Sequence, residues 1–230
     1  MRSICSFAFI AASSFALPTK VSVDALIGYD PLLLDPSPEG LQPRFSYGIA
    51  VGPNITWKFN PRISLDVGVR GLYDQENLSG PYQESPPSPE SSLRKTTERW
   101  RIGLKMMPEV QVTENLRVGA GYEWDIPVAG TQFLTSPTVL NGARRNLNWD
   151  LGSIGSSDIP VASVHNFLAD ISWSIQPSLE IVLQGKYGLN KSLSESYGKD
   201  PEQLDPGTSN PNEFNARDHQ IAIGIRYRFD

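Results

Sequence analysis

At 230 residues, with 39% apolar content and a formal net charge of −5, the chain has room for one domain or at most two. It carries no basic stripe of the kind a nucleic-acid partner needs. No run of about 18 apolar residues occurs, which excludes a transmembrane helix but not membrane-crossing strands, whose residues face a polar interior at every second position.

The first element in chain order is a signal segment, Met1 to Ala16. Arg2 supplies a positive charge, Ile4 to Ala12 an apolar run, and Ser14-Phe15-Ala16 a small-x-small cleavage site. The single cysteine, Cys5, lies inside it, so a mature chain of residues 17–230 has none.

From there the pattern is alternation, the period of a strand with unlike faces. In the first strand Val21, Val23, Ala25, Ile27 and Tyr29 alternate with Ser22, Asp24 and Gly28. In the second Phe45, Tyr47, Ile49, Val51, Ile55, Trp57 and Phe59 alternate with Ser46, Gly48, Ala50, Gly52, Asn54, Thr56 and Lys58. The third sets Ile63, Leu65, Val67, Val69 and Tyr73 against Ser64, Asp66, Gly68 and Arg70. The fourth sets Trp100, Ile102, Leu104, Met106, Val110 and Val112 against Arg101, Gly103, Lys105, Glu109 and Gln111.

The fifth opposes Leu116, Val118, Ala120, Tyr122, Trp124 and Ile126 to Arg117, Gly119, Gly121, Glu123 and Asp125. The sixth opposes Phe167, Ala169, Ile171, Trp173 and Ile175 to Asp170, Ser172 and Ser174. The seventh opposes Leu179, Ile181, Leu183, Tyr187 and Leu189 to Glu180, Gln184, Lys186 and Gly188. The eighth opposes Ile221, Ile223, Ile225, Tyr227 and Phe229 to Gln220, Gly224, Arg226 and Arg228. A tilted strand crosses a bilayer in roughly 9–11 residues, and each segment is long enough. Pro53 and Pro108 fall within strands, where each removes a ladder donor, so bulges or local gaps are expected there.

Connections alternate too. Asn60-Pro61-Arg62, Thr113-Glu114-Asn115 and Gln176-Pro177-Ser178 are tight turns. The stretches 30–44, 74–97, 129–163 and 192–216 read as long loops rich in Pro, Ser, Asn and Gly. Short turns at one end and long loops at the other are expected of an outer-membrane barrel, with the short turns periplasmic. The expected fold is therefore all-β, an eight-stranded antiparallel up-and-down transmembrane β-barrel.

A soluble lipocalin-like barrel has the same period with its faces reversed. Three features favour apolar-out. Strand glycines gather on the polar face, as a crowded lumen requires. Tyr29, Trp57, Phe59, Tyr73, Trp100, Trp124, Trp173, Tyr187, Tyr227 and Phe229 stand near strand ends, the place of an aromatic girdle. The polar face carries both charge signs in near balance: Asp24, Asp66, Glu109, Glu123, Asp125, Asp170 and Glu180 with Arg70, Arg101, Lys105, Arg117, Lys186, Arg226, Arg228 and Lys58. An unpaired buried charge is costly, so these groups are expected to form a paired lumen network.

With the strands placed, the chain from Val21 to Asp230 resembles the outer-membrane β-barrel domain family of small OmpA/OmpX-like proteins. The last strand, with its alternating apolar residues and terminal Phe229, carries much of that resemblance, although Asp230 after it departs from the family pattern. The resemblance implies insertion in a bacterial outer membrane, contact with its lipid and lipopolysaccharide, and handling by the barrel-assembly machinery. It implies no particular activity.

Chemistry is sparse in the sequence. Ser163-x-His165, with Asp158 nearby, is a minimal hydrolase pattern, as in outer-membrane lipid A deacylases. His219 reads as an interfacial residue. Asp200, Glu202, Asp205 and Glu213 lack calcium-loop spacing. No metal or cofactor is expected. The leading expectation is a non-enzymatic outer-membrane barrel with a plugged polar lumen and long extracellular loops, serving envelope structure, surface interaction (the loops offering a place for a protein partner) or as a subunit of an outer-membrane assembly. A lipid A-modifying hydrolase and a soluble binder are the alternatives.

Overall fold

The computed structural model describes residues 20–30, 33–35, 42–81, 92–136, 139–148, 159–160, 163–190, 193–196, 213–217 and 219–229. The expected signal segment, Asp158, Asp200, Glu202 and Asp205 lie outside them. Eight antiparallel strands form the wall: β1 (Lys20–Tyr29), β2 (Tyr47–Lys58), β3 (Ile63–Pro81), β4 (Ser92–Gln111), β5 (Leu116–Ser136), β6 (Val164–Gln176), β7 (Leu179–Gly188) and β8 (His219–Phe229). Each pairs with its neighbours in sequence, and β1 also pairs with β8, from Val21 opposite Phe229 to Tyr29 opposite Ile221. That last pairing closes the sheet and leaves no barrel edge.

The turns follow from their residues. The Asn60 side chain accepts the backbone N–H of Arg62 and of Ile63, both at 2.8 Å, which folds the chain between β2 and β3. Thr113 Oγ1 accepts the Leu116 N–H at 3.1 Å between β4 and β5. Pro53 and Pro108 produce gaps and keep the register, whereas Pro127 in β5 sits at a register shift, opposite Arg101. Around Pro53, β2–β3 pairing jumps from Val51–Gly71 to Asn54–Gly68. Around Pro108, β4–β5 pairing jumps from Met106–Tyr122 to Glu109–Gly119. A glycine sits at each gap. A Cβ on Gly52 would stand 2.0 Å from the Val69 carbonyl oxygen, and one on Gly121 would stand 2.3 Å from that of Met106. The walls can close in there because no side chain intervenes.

The largest departure from the sequence reading is at the long-loop end. Residues 74–97 are mostly strand: β3 runs to Pro81 and β4 starts at Ser92, paired to the end. Residues 129–163 likewise begin as strand, since β5 runs to Ser136 and folds back on Val139–Asn148. The stretches 30–44 and 192–216 contribute Leu33–Asp35, Leu193–Ser196 and Glu213–Arg217, which make a small separate sheet. The physical reason is visible on β3 and β4. Above Tyr73 and Trp100 the outward face becomes Gln75, Asn77, Glu98 and Thr96, while the inward face, Leu78 apart, stays polar with Asp74, Glu76, Thr97 and Arg99. With both faces polar, a strand has no alternation to read.

Candidate functional site: a charged lumen inside an apolar belt

The two faces of the wall differ completely. Ile171 is 48% exposed on the outside, and the next residue, Ser172, is 1% exposed inside. The outward face is Val, Ile, Leu, Met and aromatic residues on all eight strands. At the long-loop end, rings touch in series from Tyr29 to Phe45 (5.7 Å), Tyr47 (6.5 Å), Tyr73 (6.1 Å) and Trp100 (4.8 Å). Trp124 and Tyr187 stand on β5 and β7 toward the same end. At the short-turn end stand Trp57, Phe59, Trp173, and the edge-on pair Tyr227 and Phe229 at 5.1 Å. Tyr47 and Trp57 are ten residues apart on β2. That is roughly 33 Å along a strand and roughly 25 Å of height at a tilt of about 40°.

Inside, the inward-facing charged side chains converge in tiers. The lowest is centred on Glu180, which Arg228 grips with Nε at 2.9 Å and Nη2 at 3.0 Å, and which also accepts from Arg117 at 2.7 Å. Next comes Arg226, fully buried. Its guanidinium reaches Asp24 Oδ1 at 2.7 Å, Glu109 Oε1 at 2.7 Å, Asp170 Oδ2 at 3.4 Å and Asp66 Oδ2 at 3.5 Å. Lys105 bridges the same acids, 2.7 Å from Asp66 and 3.1 Å from Asp24, and Thr56 donates to Asp66 at 3.0 Å.

A third tier joins Arg70 to Glu123 and, at 2.9 Å, to Gln184. Lys186 lies between Asp125 at 2.5 Å and Glu123 at 3.2 Å. Arg101 spans Asp125 at 3.2 Å and Asp74 at 2.9 Å. Nearest the long-loop end, Arg99 pairs with Glu76.

Fourteen of the fifteen charged residues that the sequence points to thus face the lumen, with Arg117 the least buried. Lys58 does not join them; it ends β2 and is exposed. Sequence reasoning missed Asp74 and Glu76, which lie where the pattern reads as loop, and Arg99, which falls between that loop and Trp100. It also missed an apolar patch on the lumen wall: Leu26, Ala50, Leu72, Val182 and Ala222, contributed by five neighbouring strands. Among the described residues, nine carboxylates meet eight cations in these ion pairs. Opposite charges so nearly matched can stay ionised away from bulk water.

The Ser163-x-His165 pattern does not assemble as a hydrolase pair. His165 Nδ1 is bonded to the Tyr122 hydroxyl, and Ser163 is tied through its carbonyl to Asn190 Nδ2 at 2.9 Å. His219 packs against Tyr187, ring to ring at 4.5 Å. Among the described residues, no cluster of three His, Cys, Asp or Glu side chains is placed to hold a metal ion.

No protein-family model and no curated protein sequence matches the chain. Among solved structures, it is similar to the outer membrane protease OmpT from Escherichia coli, at 8% identity and a TM-score of 0.48, covering 94% of this chain and 100% of that one. It is similar to Neisserial surface protein A at 11% identity and 0.44, covering 91% and 97%. It is also similar to Ail, the attachment invasion locus protein of Yersinia pestis, in complex with a heparin analogue, at 11% identity and 0.42, covering 92% and 100%.

Proposed function

We propose that this chain is a non-enzymatic outer-membrane barrel that holds a folded sheet above the membrane for surface interaction or envelope assembly, with a lumen closed to solutes. One observation carries the reading: the outward face is apolar over a single band and turns polar at one level on β3 and β4. As a smooth cylinder, a ring of eight strands about 25 Å tall has an area on the order of 1,000 Å² or more. Soluble monomers rarely expose contiguous apolar patches beyond roughly 300–600 Å². Water is the wrong solvent for that surface, and a bilayer of matching height is the right one.

The lumen reading rests on packing. An eight-stranded barrel is just wide enough for side chains to fill. Here the filling is arginine, lysine and carboxylate, tied across the bore by Arg226 and Arg70. Purified protein reconstituted in planar bilayers is expected to give no steady, large conductance. A stable porin-like current from the folded monomer would refute the closed lumen. Fractionation of the producing cell tests the location, and recovery as a soluble protein would refute that part. The lipid-hydrolase alternative is disfavoured by the Tyr122–His165 bond; unchanged lipid A on deleting the gene is the expected result.

A further inference from the structure

The short-turn mouth of the bore gathers positive charge that the ion-pair tiers do not neutralise. Four cations meet there from four strands: Lys20 at the start of β1, Lys58 at the end of β2, Arg117 at the start of β5 and Arg228 near the end of β8. Lys58 is exposed at the rim and stands within repulsive range of the other three. Arg117 and Arg228 share one carboxylate, Glu180, at 2.7 Å and 2.9 Å. Glu109 is 3.9 Å from Arg228, but Arg226 holds it at 2.7 Å. Asp24 and Asp66, the next acids up the bore, are taken by Arg226 and Lys105. Among the described residues Lys58 enters no ion pair, and Glu114, exposed in the neighbouring turn, pairs with none of the four. Counting Asp230, which follows Phe229 in the sequence, still leaves four cations to two acids.

Like charges gathered with so little compensation repel one another, and an anion placed among them relieves the repulsion. The wall beside the mouth points the same way. Ser22 is in register with Arg228 on β8 and with Asn54 on β2, so the three form one row across adjacent strands, with Lys58 below it toward the short turns. Ser22 and Asn54 are buried, and the Ser22 hydroxyl and both polar atoms of the Asn54 amide have no hydrogen-bond partner. Buried donors without an acceptor cost free energy until one arrives. Guanidinium and ammonium groups beside hydroxyl and amide donors are a set suited to phosphate oxygens. All of these side chains belong to the inward face, away from lipid, so an anion that reaches them comes from solution.

Resting on the outer-membrane reading above, which turns this end to the periplasm, we propose that the short-turn mouth binds one small oxyanion of the phosphate class from solution. Lys58 and Arg117 receive it at the open side, and Arg228 with the Ser22 and Asn54 donors faces it from the wall.

The test uses the full chain folded in maltoside micelles, which carry no phosphate, its fold checked by the heat-dependent gel shift. Inorganic phosphate is titrated by calorimetry in chloride buffer at constant ionic strength. Wild type is expected to bind one phosphate, and Lys58→Gln to bind it about fivefold or more weakly. Arg117→Gln should show a loss of similar size, and Lys58→Arg should keep most of the affinity. Added chloride in place of phosphate should give no saturable heat. No saturable binding by wild type, equal binding by wild type and Lys58→Gln, or saturable heat from chloride would each overturn the site. So would binding confined to Asp230→Asn, since the chain's own acid would then be the anion that the mouth takes. Were Lys58→Gln not to fold, the phosphate-against-chloride comparison on wild type still decides. Failure of the parent reading looks different: phosphate would bind, but the chain would not insert into vesicles.

Discussion

The lower and upper parts of β3 and β4 make an instructive pair. In both, the inward face is polar and paired: Arg70 with Glu123 below, Arg99 with Glu76 above. Only the outward face changes, from Val67, Val69, Leu104 and Ile102 to Gln75, Asn77, Glu98 and Thr96. Above the change, Thr96 donates to Asn77 at 2.9 Å and Thr131 to Glu98 at 3.4 Å, so that surface satisfies itself as it would in water. The boundary between solvents is therefore written on one face alone, and the ladder of backbone hydrogen bonds crosses it unbroken.

That contrast can be broken at several points. The largest effect is expected at Arg226. Arg226→Met takes the guanidinium from Glu109 and Asp170 and leaves Asp24 and Asp66 to Lys105, and removing one partner from a buried pair costs about 3–5 kcal/mol. Arg99→Met, in the upper part and above the apolar belt, disturbs its pair with Glu76 and should cost clearly less. Urea-unfolding midpoints in lipid vesicles would rank the two, and equal losses would mean the tiers share one environment.

Next in size is the exchange of faces. Ile171→Lys places a charge against lipid at about 2–4 kcal/mol, whereas Ser172→Lys faces the bore beside Asp170. Folding yield into vesicles should fall much further for the first. Equal tolerance would dissolve the distinction between inside and outside.

A smaller contrast sharpens the boundary itself. Val69→Lys should impair insertion, while Asn77→Lys, four turns of the alternation higher on the same face, should sit within about 0.5 kcal/mol of wild type, as surface changes do. Smallest of all is the hairpin tip. Shortening residues 82–91 should leave the gel shift intact, because loop closure changes by only about 0.6 kcal/mol for each doubling of length.

How far the sequence could be read follows the same physics. The strands within the apolar belt announce themselves because their two faces see unlike solvents, and the fourteen lumen charges fall out of that alternation. Glu76 and Arg99 are invisible to it, since Gln75 and Glu98 beside them are polar as well. Leu26, Leu72 and Val182 are invisible for the opposite reason: an apolar residue on the inward face looks like noise in a polar row, and only closure of β8 onto β1 brings them together. The prolines announced ladder gaps. That the gaps keep register depends on Gly52 and Gly121 letting backbones approach, which no local pattern states.

The most direct test follows β3 upward one residue at a time. Single cysteines at positions 66 to 77, in a Cys5→Ser background, carry a fluorophore in vesicles whose lipids bear a nitroxide on the acyl chain. Quenching should be strong at Val67 and Val69, weak at Asp66, Gly68 and Arg70, and lost on the outward face above Tyr73, at Gln75 and Asn77. Quenching that ignores the alternation, or that persists undiminished to Asn77, would contradict an apolar belt ending at the Tyr73–Trp100 level.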